Sequence, residues 1–376
     1  MTRRGNGEGS IYQSGSYWVA ALSMGAGRRK VFRGKSRQVV QRKLAQARRD
    51  LEEGVNPSEE TVGAYLIRWL DGKRGIDEKS WLSYESKVRI HCKPIHKVRL
   101  SKLTPAHLQA LYAGIQRSPQ TVKHIRTLLS SAFQQAEDWG LVRKNPARMV
   151  PGPKVPKHEY VTFDQEQAGS FIAAVQDDRL EALYIFAIGT AARQGEIFSL
   201  RWEDLDGDSV SVRHTLTRPR GGGYNVKENK SDSSRRMIPL QPFVMDALRR
   251  HKVKQAEERL ASYVWDDTGF VFTDSIGHPL RYNNFMRRNY YPLLERNGLP
   301  KIRFHDLRHT VATLLLTRGV NPKVVSEMLG HASVKITLDR YSHVTPSMRA
   351  EASRTLEEIL LATPAATPED KTGNNG

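Results

Sequence analysis

Two arginines, two histidines and a late tyrosine in this 376-residue chain are of the types that metal-free, covalent cleavage of a phosphodiester calls for. Tyr341 follows Gly330-His331 by about ten residues, and the block Phe304-His305-Asp306-Leu307-Arg308-His309-Thr310 lies further upstream. Arg193 stands apart, within Thr190-Ala191-Ala192-Arg193-Gln194-Gly195-Glu196. As a phosphodiester is attacked, extra negative charge gathers on its non-bridging oxygens. A guanidinium, charged at every working pH, answers that charge with two parallel hydrogen bonds. Losing one such preorganised contact typically costs about 100- to 1000-fold in rate. A phenol with an ordinary pKa near ~10 needs a proton acceptor or stabilised negative charge to attack at neutral pH. Histidines and arginines around one phosphate supply both. Either arginine, Arg193 or Arg308, taken singly is more often a surface ion-pair partner, so the case is collective.

Local patterning says which elements must hold them. The i, i+3 spacing puts His305 and Arg308 on one helical face, above a stripe of Leu307, Val311, Leu314 and Leu315. His309, one step on, is expected to face elsewhere in a structural role. Gly330 follows the apolar Val324-Val325 and Met328-Leu329, which makes it a helix C-cap and His331 a loop residue. Ser333 then caps a helix through Arg340, with Tyr341 at its end. Arg193 follows the apolar run Leu183 to Ala192 and precedes an expected helix from Gly195 to Leu200, whose N-terminus adds its dipole.

The rest of the chain is strongly basic. Its formal net charge is +19 and its pI about 10.0, which speaks for polyanionic partners rather than for a fold. One cysteine, Cys92, excludes an internal disulfide framework and argues against a Cys-based zinc site. The N-terminus has no apolar signal core, and the longest apolar-rich stretch is too short to span a bilayer. A soluble, cytoplasmic protein is expected, with no membrane partner.

Length suggests several domains. Residues 1–49 carry twelve Lys/Arg against the single acid Glu8. Strand-like runs at Ser10–Tyr12, Tyr17–Leu22 and Arg29–Phe32 are punctuated by glycines, and a helix capped by Ser36 follows, with Val40, Leu44 and Leu51 inward. A sheet of this kind fits a DNA major groove, with Arg28, Arg29, Lys30 and Arg33 as the binding candidates. Gly54 to Ser58 reads as a linker. From Thr61 to Val150 the pattern is helical, with starts at Thr104-Pro105 and Ser118-Pro119. Residues 86–102 add six Lys/Arg and no acid, and Lys87, Arg89, Lys93, Lys97 and Arg99 are the candidates for a second DNA-facing surface. A proline-rich connector from Lys144 to Pro156 leads to a larger part, where helices enclose strand-like runs at Val210–His214 and Arg236–Leu240. The tail beyond Thr363 is expected to be disordered. The expected fold is multidomain and mainly α with small β-sheets. A three-stranded sheet plus helix spans 1–55, a helical DNA-clamp domain 60–150, a mixed α+β catalytic domain 160–361, and a disordered tail 362–376.

Together these motifs resemble the tyrosine recombinase family, in particular phage-type integrases with an arm-binding N-terminal domain. His305…Arg308, then Leu329-Gly330-His331, then Tyr341 match its second motif. Ala191-Ala192-Arg193-Gln194-Gly195-Glu196-Ile197 with Leu200-Arg201-Trp202-Glu203-Asp204 resembles its first. The family's usual Thr-Gly-Leu/Met before the arginine stands here as Thr190-Ala191-Ala192. The family's hairpin lysine, upstream of an Arg-x-x-Pro-Leu-like strand, fits Lys230 best, with Lys227 as the alternative.

The resemblance implies a site-specific DNA recombinase that integrates a phage or other mobile element through a 3′-phosphotyrosyl intermediate. Tyr341 would be the nucleophile, and Arg193 and Arg308 the ligands of the non-bridging oxygens. His305 would assist deprotonation, His331 would hydrogen-bond the phosphate, Lys230 would protonate the leaving oxygen, and Glu196 would brace the site. No ATP, metal or other cofactor is implied. The partners implied are double-stranded DNA at core-type and arm-type attachment sites, a homotetramer on that DNA, and an excision factor and host DNA-bending protein, in the nucleoid of a bacterial cell. A C-terminal stripe of Met348, Ala352, Leu356, Ile359 and Leu360 would dock on a neighbouring protomer, with packing on its own domain as the alternative. A type IB topoisomerase-like enzyme and a non-catalytic DNA-binding regulator are the alternatives. The basic N-terminal module argues against the first, and the full set of catalytic groups against the second.

Overall fold

A computed structural model describes residues 9–23, 29–52, 59–73, 75–156, 160–218, 223–228 and 235–341, together with 353–354, 356–357 and 360–361. The chain forms two compact units, 1–157 and 158–376.

The first unit begins with the antiparallel sheet β1 (Ser10–Ser14), β2 (Tyr17–Ser23) and β3 (Arg29–Gly34), followed by α1 (Arg37–Glu52). Side chains alternate across a strand with period two. Ile11, Trp18, Ala20, Leu22 and Phe32 therefore share the face that packs on Val40, Leu44 and Ala47 of α1. Leu51, expected on that stripe, is exposed. The register pairs Lys30 with Leu22, whereas Arg33 pairs with Val19 and Arg29 with Ser23. Lys30 thus lies on the helix side, so the basic residues of β3 do not form one surface as expected. Of the described candidates, Arg29 and Arg33 share the open face, with exposed Tyr12 and Val31. Arg28 and the linker candidate Gly54–Ser58 fall outside the described residues.

Four further helices follow: α2 (Val62–Asp71), α3 (Glu78–His91), α4 (Pro105–Gly114) and α5 (Pro119–Asp138). Thr61, Asp77, Thr104 and Ser118 each cap one of them through the side chain. Their apolar stripes close a separate core around Tyr65, Leu66, Leu108, Ile125, Leu129 and Phe133. The start of the expected connector belongs to this core. Asn145 is buried and donates to the Ser130 carbonyl at 2.8 Å, and Arg126 Nε donates to the Val150 carbonyl at 2.8 Å.

The second unit opens with α6 (Gln165–Ala174), α7 (Glu181–Thr190) and α8 (Gln194–Ile197). Every residue of α7 is buried, as a helix apolar all round must be. Next come β4 (Leu205–Asp206), β5 (Ser209–Val212), β6 (His214–Thr217), β7 (Asn225–Glu228) and β8 (Arg236–Pro239). The run expected as one strand from Val210 to His214 breaks at Arg213. β5 stays in a sheet with β4 and β8, while β6 leaves to form a hairpin with β7. α9 (Pro242–Ala261), α10 (Tyr282–Phe285), a π-turn over Met286–Tyr290, and α11 (Tyr291–Arg296) follow. They lead to α12 (Asp306–Thr317), α13 (Pro322–Leu329) and α14 (Val334–Arg340).

An aromatic cluster of Phe171, Tyr184, Phe285, Tyr290 and Phe304 anchors the entrance of α12. Phe304 meets Phe285 edge-on at 5.0 Å and Tyr290 at 5.4 Å. Along α12, Leu307 is buried, while Val311, Leu314 and Leu315 are half-buried, less enclosed than expected. Of the C-terminal stripe, Leu356 and Leu360 are exposed, and Met348, Ala352 and Ile359 fall outside the described residues, as does the tail 362–376. Among the described residues, no helix is long and apolar enough to cross a membrane.

Candidate active site

Three arginines from distant parts of the second unit converge on the C-terminus of α13. Arg236 Nε donates to the Met328 carbonyl at 3.1 Å, Arg308 Nη2 donates to Leu329, and Arg193 Nη2 donates to Gly330. The last carbonyls of a helix have no partner within it and carry its partial negative charge, so they attract cations. Gly330 lets the chain turn there, at φ 64° in the left-handed region, and the His331 N–H closes the cap on the Ser326 carbonyl at 3.0 Å.

Each arginine is set by its own element. Arg193 is the N-cap residue of α8, with extended backbone. The helix expected to run to Leu200 stops at Ile197, since Ser199 Oγ donates to the Glu196 carbonyl and to the His214 carbonyl of β6. Gly195 is required by packing, because a Cβ there would stand 2.8 Å from Thr215 Cγ2 on the same strand. Arg308 lies in the first turn of α12, 3% exposed, and its Nη1 donates to the Ala191 carbonyl at 2.8 Å. Ala191 takes φ 51° and ψ 25°, left-handed, so the residue at the family's usual glycine position has the conformation that glycine favours.

Glu196 ties the set together. Its carboxylate accepts from Arg193 Nη1 at 2.8 Å, from the Arg193 N–H at 2.8 Å, and from Arg236 at 3.0 and 3.3 Å. Burial pushes its pKa up, but the hydrogen bonds and charge of Arg236 and the contacts from Arg193 outweigh burial and hold it below the ordinary carboxylate value. Two guanidinium groups thus grip one carboxylate, and with Arg308 nearby the three positive charges exceed it by two. Among the described residues Arg308 bonds only to neutral carbonyls, and burial together with the Arg193 charge pushes it down to about 9. A buried cation that no carboxylate bonds directly is a standing demand for an anion.

Tyr341 follows α14, capped at its start by Ser333 as expected. Its side chain is buried against Ala191, Leu316, Val325 and Leu329. Burial pushes its pKa up to about 12, against the opposing pull of Arg308. The phenol oxygen lies 2.7 Å from His309 Nδ1. This corrects the expectation that His309 faces elsewhere. Residues four apart on a helix lie only about 40° apart around its axis, so His309 shares the face of His305, and their rings meet edge-on at 5.2 Å. Among the described residues no hydrogen bond joins His305 to the phenol. His331 Nδ1 pairs with the buried Thr337 hydroxyl at 2.8 Å.

The structure therefore brings together Arg193, Glu196, Arg308, His331, Tyr341 and, through His309, His305. Lys230 lies outside the described residues. Lys227 is exposed on β7, opposite Thr215 of β6, the strand on which Gly195 packs. In the first unit, Lys93 and Lys97 are exposed, while Lys87 donates to Ser83 Oγ at 2.5 Å. Arg89 pairs with Glu85 at 2.8 Å and Arg99 with Glu59 at 2.6 Å. Spacing alone marks neither Arg236 nor His309 as a site residue. The signal for Arg236 was present, since it is itself the arginine of the Arg-x-x-Pro-Leu strand.

Comparison with known proteins agrees with this geometry. Residues 162–348 match the phage integrase family. A tyrosine recombinase XerC-like protein of Caldanaerobacter subterraneus is 30% identical over 362 aligned positions, covering 89% of this chain and 92% of that protein. The ICEBs1 integrase of Bacillus subtilis is 28% identical, covering 71% and 72%. Among solved structures, the Tn1549 transposon integrase in complex with a circular intermediate DNA superposes with a TM-score of 0.68 at 24% identity, over 79% of this chain and 99% of that one. A lambda integrase tetramer bound to a Holliday junction gives 0.57 at 19%, over 86% and 95%. This chain belongs to the phage integrase family of tyrosine recombinases. It is a tyrosine site-specific recombinase of the integrase type.

Proposed function

We propose that the chain integrates a mobile element by cutting and rejoining DNA at paired attachment sites, with the roles distributed as follows. The Tyr341 oxygen attacks the scissile phosphorus, the bond to the 5′-oxygen breaks, and a 3′-phosphotyrosyl link forms. Arg193 and Arg308 hold the non-bridging oxygens, and Glu196 and Arg236 keep Arg193 in place. With Nδ1 taken by Thr337, His331 has Nε2 left to donate to the same phosphate. His305 assists removal of the phenolic proton. Lys230, or Lys227 in its stead, protonates the leaving 5′-oxygen. Attack by the 5′-hydroxyl of the partner duplex then reverses the chemistry and restores Tyr341. The linkage conserves the bond energy, so joining needs no ATP.

The observation that carries this reading is Arg308, buried beside the nucleophile and bonded, among the described residues, only to neutral carbonyls. In the same reading the sheet of the first unit takes arm-type sites through Arg29 and Arg33. The helical surface around Lys87, Arg89, Lys93, Lys97 and Arg99 takes core-type sites. Four protomers assemble on the paired DNA in the bacterial cytoplasm, with an excision factor and a host bending protein setting direction.

The test is a nicked duplex carrying the repeat that bounds the element encoding the gene. The wild-type protein should accumulate a covalent DNA adduct, and Tyr341→Phe should form none. Relaxation of supercoiled plasmid lacking that repeat would instead favour the topoisomerase reading.

A further inference from the structure

We infer that His309 is the positioning residue for the Tyr341 nucleophile, holding the phenol in register with Arg308 through the hydrogen bond at its Nδ1. The inference rests on the recombinase reading and adds to it a residue outside the set of catalytic groups.

The bond itself is short, at 2.7 Å, and joins two side chains that are 1% and 2% exposed. No water competes for either partner at that burial, so the contact is directional. The imidazole is fixed from two sides. Tyr160 stacks on it with ring centroids 4.1 Å apart and planes at 30°, and His305 meets it edge-on at 5.2 Å. A ring so enclosed cannot rotate to follow the phenol, so the phenol must follow the ring. His309 also follows Arg308 directly in the second turn of α12. One rigid helix therefore sets both the guanidinium that awaits the phosphate and the acceptor that aims the attacking oxygen. Tyr341 itself follows the short helix α14, and among the described residues the side-chain hydrogen bond recorded for its phenol is the one to His309.

The chemistry selects positioning over proton transfer. Burial, with His305 adding to it, pushes His309 down to about 3, while burial pushes Tyr341 up to about 12. With those acidities the proton stays on oxygen. If the phenol O–H donates to a bare Nδ1, the oxygen's lone pairs remain clear to face phosphorus. Misplacing a nucleophile by about 1 Å can cost on the order of 100-fold in rate.

The experiment compares two nucleophiles on the same nicked attachment-site duplex. His309→Ala should slow adduct formation by Tyr341 by about 100-fold, and His309→Phe, which keeps an aromatic ring but not the acceptor, should be equally slow. His309→Asn, whose amide oxygen can stand where Nδ1 stood, should recover about tenfold or more of the loss. In a Tyr341→Phe background, hydrogen peroxide supplied as an external nucleophile should cleave the duplex equally well with or without His309→Ala. Loss of peroxide cleavage along with adduct formation would show that His309 supports α12 or Arg308 instead, and would overturn the inference. So would full adduct formation by His309→Ala or His309→Phe. Failure of the wild-type protein to form an adduct and of Tyr341→Phe to cleave with peroxide would instead strike the recombinase roles themselves.

Discussion

Burial holds three imidazoles around the nucleophile uncharged. It pushes His305 down to about 4 and His331 to about 4, each with Arg308 adding to the effect, and it pushes His309 to about 3. An imidazole whose folded pKa lies below the unfolded value of about 6.5 leaves stability untouched above that value, where both states are neutral. Below it the unfolded chain takes up a proton that the folded chain refuses. Stability then falls with pH until the folded value is reached. For His309, the most enclosed of the three, the loss between pH 7 and pH 5 is about 2 kcal/mol. Urea unfolding at the two pH values should show it, and His309→Gln, which cannot titrate, should lose that much less. Equal pH dependence in the two proteins would mean that the imidazole is not held neutral by its surroundings.

The elements explain why the site was only partly legible in the chain. His305…Arg308, the Gly330 turn and Ser333 before Tyr341 are local patterns, each within one helix or at its cap, and the structure sets them as their spacing predicts. What spacing could not show are bonds across long separations: Arg236 to Met328, 92 positions apart, or His309 to Tyr341, 32 apart. The length of α8 was misjudged for the same reason, because Ser199 is drawn off the helix by a strand carbonyl 15 residues on. Ala191 shows how a departure from the family pattern is absorbed. A left-handed alanine costs about 1 to 2 kcal/mol, glycine's extra chain entropy costs about 0.5 to 1, and the methyl buried against Leu329 and Tyr341 contributes about 0.8. These magnitudes nearly cancel. Ala191→Gly should therefore change the unfolding free energy by less than about 0.5 kcal/mol. Ala191→Val puts a branched side chain where φ is positive and space is filled, and should cost more than about 2 kcal/mol. Thermal unfolding of both variants checks this, and a strongly stabilised Ala191→Gly would show that the turn carries more strain than its angles imply.

At the scale of the whole molecule, the +19 charge matters through which of its cations are at liberty to meet phosphate. A cation that neutralises a phosphate releases a condensed counterion, so each true contact steepens the fall of affinity with salt by about 0.9 in the log–log slope. Fold position already sorts the candidates. Lys30 shares the sheet face that packs on α1, while Arg89 and Arg99 are engaged by Glu85 and Glu59 on the protein surface. Such exposed pairs are worth about 0.2 to 1 kcal/mol, so a phosphate can displace them, but with smaller net effect. Lys93 and Lys97 are exposed within residues 86–102, which hold six Lys/Arg and no acid. Fluorescence anisotropy with a random-sequence duplex, titrated across about 50 to 200 mM KCl, should give a slope shallower by about 2 for the Lys93→Ala, Lys97→Ala double variant. Lys30→Ala should leave the slope unchanged. If the double variant kept the wild-type slope, the helical part of the first unit would not be the surface that tracks the DNA backbone, and the sheet face bearing Arg29 and Arg33 would have to supply those contacts.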